Sequence, residues 1–128
     1  MLELLRDRYT RVRAGTNADR FVRATHVRHP HPHGYGLATR IADSIVNDTY
    51  GEGMLIGHEV KVSRSDWLTE LRAPQKAMAW SRHCHQWLLV VPDRSIVRAG
   101  ELPDGWGLMV PDSTGKLRLR TAPTPRQP

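Results

Sequence analysis

Cysteine is nearly absent: Cys84 stands alone in 128 residues. A single thiol excludes an internal disulfide, and with it the small stapled scaffolds of oxidising compartments, so an intracellular, cytoplasmic setting is expected. Long apolar runs are missing too. None approaches a membrane-spanning length, and the opening Met1-Leu2-Glu3-Leu4-Leu5-Arg6 is too short and too charged for a secretory leader. Lysine is scarce, since sixteen of the nineteen basic residues are Arg, and acids are outnumbered thirteen to nineteen, for a net charge of +6. GC-rich coding can account for Arg in place of Lys, but not for the positive excess. Arg grips phosphate bidentately and stays charged when partly buried, so a polyanion is the expected partner and nucleic acid the usual one.

What remains is ordinary globular material. With 39% hydrophobic and 25% charged residues over this length, the composition fits one domain with a modest core. Leu2, Leu5, Tyr9 and Val12 recur at helical spacing and predict a helix over 2–13, ended by Ala14-Gly15. Strands are expected over 20–27, 39–47 and 54–63. The first two are separated by a Pro- and Gly-broken run from His29 to Gly36, and the second and third by turn residues from Asp48 to Gly53. Ser65 is placed to cap a short helix starting at Asp66, and Pro74 to start another running to about His83. The apolar run Trp87–Val91 reads as a buried central strand, 106–110 as a further strand, and 116–120 as an edge strand after the turn Asp112–Gly115. No repeat or second domain is evident. The domain is expected over 1–120, with 121–128, which carry three Pro, as a flexible tail.

Charge inside strand-like sequence carries the chemistry. Gly57-His58-Glu59-Val60-Lys61-Val62-Ser63 alternates, so Glu59 and Lys61 share one strand face, and His58 points to the other, into the core. Asp43 lies upstream in the apolar run Ile41–Val46. Such charges are costly to bury unless paired or metal-bound. Phosphodiester hydrolysis calls for such a set: a divalent cation screens the anionic phosphate, acidifies bound water and stabilises the leaving oxygen. Magnesium keeps several waters, so two carboxylates and a backbone carbonyl can hold it. Asp43, Glu59 and the Val60 carbonyl are the candidate ligands for Mg2+ or Mn2+. Lys61 would orient or deprotonate the attacking water, with its pKa depressed by burial, or neutralise developing charge.

Asp43 followed by Glu59-Val60-Lys61 resembles the PD-(D/E)XK nuclease superfamily, with Ala42 where a Pro often precedes the Asp. A closer likeness lies in Arg40–Ile45, His58–Leu71, Pro74–Ala77, Cys84–Trp87 and Trp106–Leu108. These are similar to an uncharacterised phage and bacterial family related to the MmcB-like DNA-repair proteins, over roughly residues 20–120. The resemblance implies an α/β fold with a restriction-endonuclease-like αβββαβ core, a mixed central sheet flanked by helices. It further implies a metal-dependent endonuclease acting on DNA in repair, recombination or phage genome processing, in a bacterial or phage-infected cytoplasm. It adds an acid on the first helix, Glu3 or Asp7, as a further candidate metal ligand, and Gln75 or Lys76 from the second helix at the site.

Ser63, Arg40, Arg64, Arg72, Gln75 and Lys76 are the candidate DNA contacts, with the start of the second long helix favouring a phosphate. Asp66 is expected to serve the helix start, and the four Trp to serve the core. A chain this short leaves specificity to DNA structure, a homodimer or a partner protein. Two other readings stand beside the nuclease: an inactive DNA-binding accessory protein on the same fold, and a zinc-binding interaction module built on His29, His31, His33 and His83-Cys84-His85. Neither His cluster has the usual spacing of a structural zinc site.

Overall fold

The computed structural model describes residues 1–12, 14–16, 18–29, 40–50 and 52–128, the side chains of 28, 29, 40 and 41 excepted. The element order is α1 (Leu2–Arg8), β1 (Phe21–His29), β2 (Arg40–Asp48), β3 (Met54–Val60), α2 (Arg64–Arg72), α3 (Gln75–Ser81), β4 (Gln86–Val90), a 3₁₀ turn (Arg94–Ile96), β5 (Gly107–Pro111) and β6 (Leu117–Thr121). Among these residues six strands form one mixed sheet in the order β1-β2-β3-β4-β5-β6. β1, β2 and β3 are antiparallel neighbours, β3–β4 and β4–β5 are parallel, and β6 returns antiparallel at the edge. The β3–β4 parallel step requires a crossover, which α2 and α3 supply. No helix among the described residues is long and apolar enough to cross a membrane.

Strand alternation loads both faces of this sheet. One face carries Val46, Ile56, Leu88, Val90 and Met109, covered by Leu5 of α1 and by Tyr9 at its C-cap. The other carries Leu89, Val91, Leu108 and Val110 under Trp67 of α2, and Ile45 and Trp87 under Ala77 of α3. Full burial of side chains such as Leu89 contributes about 1.5–3 kcal/mol each, so both layers are needed to hold the sheet. Gly57 has a specific task in β3. A Cβ there would lie 2.2 Å from the Trp87 ring, so its absence lets the indole cross the strand.

Several boundaries differ from expectation, each for a local reason. α1 stops at Arg8, not 13, because Asp19 draws the next segment away: its carboxylate accepts from the Arg11 N–H at 3.0 Å, and Val12 bridges Asp19. β3 stops at Val60 because Ser63, rather than Ser65, caps α2, its Oγ accepting from the Asp66 N–H at 3.2 Å. α3 holds only seven residues, with Pro74 as its N-cap. Residues 121–128 are not wholly detached: the Thr124 N–H donates to the Gly105 carbonyl and the Arg126 N–H to the His85 carbonyl.

Candidate active site

β1 and β2 contain a switch that no alternation rule anticipates. Thr25 and Ser44 line a groove with Leu2 and Leu5 on the α1 face, whereas Val27 and Ala42 pack with Ala77 of α3 on the other. The register skips the position between them, His26 opposite Asp43, and His26 has φ of 52°, a region few non-glycine residues occupy. The β2–β3 ladder ends at Ser44–His58. Just beyond it, Asp43 Oδ2 accepts from the Val60 N–H at 2.7 Å, a carboxylate standing in for the missing ladder carbonyl. This ties Val60, whose carbonyl is the expected third ligand, to Asp43, and puts Asp43 where β2 leaves β3.

Glu59 and Lys61 share a face as their spacing requires. Lys61 Nζ lies 3.2 Å from Glu59 Oε1, and 3.3 Å from Glu70 Oε2, a second carboxylate reaching down from α2. Burial, reinforced by the charges of Asp43 and Glu70, raises the Glu59 pKa to about 8 despite Lys61. The outcome for Lys61 is opposite to that expected: burial pulls its pKa down, but Glu59 and Glu70 together more than offset this and the net shift is upward. Lys61 is therefore an ammonium in the cation-free protein and is not prepared as a base.

His58 points to the α1 face, fully buried. Its Nδ1 lies 3.3 Å from the Ser44 carbonyl, which can only accept, so Nδ1 carries the proton and Nε2 accepts from the Tyr9 hydroxyl at 3.1 Å. Burial lowers its pKa to about 4, and the imidazole is neutral.

Other expected site residues lie elsewhere or are engaged. Glu3 and Asp7 are exposed on α1, on the sheet face away from the carboxylates, so neither joins them; the acid that does is Glu70. Arg64 forks onto Glu101 through both guanidinium nitrogens and donates to the Ile96 carbonyl at 2.8 Å. It braces the segment after β4 and is not a free phosphate contact. Arg64→Ala should accelerate amide exchange across 94–101 while leaving DNA affinity unchanged; a fall in affinity with unchanged exchange would reverse the assignment. Ser63 is spent on its helix cap. Arg72, Gln75 and Lys76 are exposed at the α2–α3 junction, on the sheet face that carries the carboxylates. The seven-residue α3 offers little dipole for a phosphate. The Arg40 side chain, His31, His33 and the His29 side chain lie outside the described residues. Cys84 is buried, its thiol pushed up to about 11 by burial, and His85 Nδ1 accepts from the Leu55 N–H at 2.9 Å. Both have structural employment.

Glu70 escaped the sequence reading although a signal was there. It follows Trp67 by three residues and precedes Leu71, so it sits on the buried face of α2, where a surface Glu does not belong.

Asp43 and Glu59 offer hard oxygen donors; Glu59 and Glu70 both pair with the Lys61 ammonium, and the charge of Asp43 acts on Glu59. A divalent cation would favour the ionised form of Glu59 that burial disfavours, and the Val60 carbonyl and waters could complete its shell. Among the described residues no three His, Cys, Asp or Glu side chains are grouped to hold an ion by themselves.

No family model matches the chain, and no curated protein matches it. Among solved structures, a protein of unknown function from Silicibacter pomeroyi superposes with a TM-score of 0.59 at 20% identity, over 84% of this chain. The chain spans 63% of that protein's length. The likeness is one of fold.

Proposed function

We propose that this protein is a divalent-cation-dependent nuclease acting on DNA, built on a restriction-endonuclease-like αβββαβ core. One observation carries the reading. Two carboxylates from adjacent strands, Asp43 and Glu59, lie where the β2–β3 ladder ends, the Lys61 ammonium just past β3 pairs with Glu59, and burial together with the charges of Asp43 and Glu70 keeps Glu59 from ionising easily alone. The order α1-β1-β2-β3-α2-α3-β4, with β3 and β4 parallel, supports the fold assignment.

Bound Mg2+ or Mn2+ supplies charge screening and an acidified water. Asp43, Glu59 and the Val60 carbonyl hold the ion. Lys61, kept positive by its carboxylate neighbours, neutralises charge on the phosphate undergoing attack. Arg72 and Lys76, exposed on the same side, take the phosphate backbone, with Arg40 as a further contact.

Supercoiled plasmid and branched DNA, incubated with the purified protein in Mg2+, Mn2+ or chelator, test this. Nicking or linearisation is expected only with the cation. Three phosphate contacts imply a loss of affinity of roughly 40-fold between 50 and 200 mM salt. Binding without cutting in either ion would favour the accessory reading, and a flat salt response would remove DNA as the ligand.

A further inference from the structure

A buried ion pair is weak ground for stability, because an apolar side chain of similar size often serves as well. Glu70 is a strong instance. It is buried beneath α2, its Oε2 pairs with Lys61, and its Oε1 is buried with no hydrogen-bond partner. Leu or Met at this position would continue the apolar face of Trp67 and Leu71 without that cost. Its helix is anchored on both sides, with Trp67 fully buried one turn before and Ser63 capping the start. Glu70 thus holds a carboxylate at a fixed point of the site, against the free side of Lys61.

Lys61 has two partners at nearly equal distance, and they are not equivalent. Asp43 adds its charge at Glu59 from the neighbouring strand, and a Glu59 that gives its charge to a cation holds the ammonium less strongly. Glu70 comes from a helix on the far side of Lys61 and has no such second task. We propose that Glu70 is a positioning residue: it holds the Lys61 ammonium in the site when Glu59 turns to a cation, so that the two events do not compete. The inference rests on the cation reading of Asp43 and Glu59 given above.

The ammonium resonance of Lys61 in 15N-labelled protein reports the contact without any cation. An ammonium held by a carboxylate exchanges slowly enough to be seen. The Lys61 signal should be present in the wild type, survive in Glu59→Ala and disappear in Glu70→Met. Glu70→Gln, which keeps an acceptor oxygen, should restore part of it and serves as the second variant where Glu70→Met does not fold. Loss in Glu59→Ala, persistence in Glu70→Met or absence from the wild type each overturns the proposal.

Mn2+ affinity, measured without DNA, gives the second readout. Glu70→Met should weaken binding about tenfold by leaving Lys61 to compete for Glu59, and Lys61→Met added to it should restore the affinity. An equal loss with and without Lys61 would make Glu70 a ligand or a structural residue instead. In a cleavage assay the same variant lowers kcat with little change in KM. A wild type that keeps the resonance pattern but cuts no DNA would sink the nuclease reading and leave the Lys61–Glu70 contact standing.

Discussion

Asp43→Asn and Glu59→Gln should each lower the proposed cation-dependent cleavage by about a thousandfold, because a metal contributes several kcal/mol of transition-state stabilisation that neutral amides hold poorly. DNA binding should survive in both, since the proposed backbone contacts, Arg72 and Lys76, lie at the α2–α3 junction and are not the substituted carboxylates. The choice of Asn at position 43 matters. Asp43 Oδ2 accepts from the Val60 N–H at 2.7 Å, and an amide oxygen can replace it there. Asp43→Ala would leave that N–H without its partner, at a cost of about 1–3 kcal/mol, and so confuse lost chemistry with lost structure. Lys61→Met belongs in the same series. It removes the ammonium but keeps the length of the side chain, and should cost kcat more than affinity. Single-turnover cleavage of a labelled duplex, with binding measured in Ca2+ or chelator, separates the two effects. Near-normal cutting by Asp43→Asn would dismiss the site, whatever the other variants did.

How much of this was legible depends on the range of the interaction involved. The period-two relation of Glu59 and Lys61 is local, and the 3.2 Å ion pair follows from it directly. The inward turn of His58 follows from the same rule. Arg64 looked like a phosphate contact because its partner is Glu101, 37 residues on, in a segment that carries no motif. The length of α1 was overestimated because Val12 fits a helical stripe, while the competing pull comes from the Asp19 carboxylate outside the helix. Asp43 was recognisable as an acid in an apolar run. Opposite it the β1–β2 register skips a left-handed His26, which sequence does not announce. Glu70 is the instructive omission, because its spacing from Trp67 already assigned it to the buried face.

Glu59 also governs how the cation-free protein responds to pH. Its folded pKa of about 8 lies above the ordinary value of 4.5, so between these limits the native state keeps a proton that the unfolded chain has released. Stability from this group is complete below about pH 4.5 and is lost as pH rises toward 8. His58 acts in the opposite sense. Its folded pKa of about 4 lies below the ordinary 6.5, so its contribution is complete above pH 6.5 and is lost as pH falls toward 4. The two oppose each other between pH 4.5 and 6.5, and only Glu59 titrates from 6.5 to 8. Lys61, whose shift is upward, releases its proton above that window. Across that one and a half units the linked loss is about 2 kcal/mol, on the order of 5–10 °C in Tm for a chain of this size. Thermal melts in chelator at pH 6.5 and 8.0 should show this fall. Glu59→Gln should flatten it, because Gln has no proton to lose and Lys61 keeps Glu70 as its partner. Mg2+ should recover more stability at pH 8.0 than at 6.5, since a divalent ion binds the carboxylate form that burial disfavours. An equal Tm at the two pH values, or the same slope in Glu59→Gln, would show that Glu59 is not the crowded carboxylate that a cation relieves.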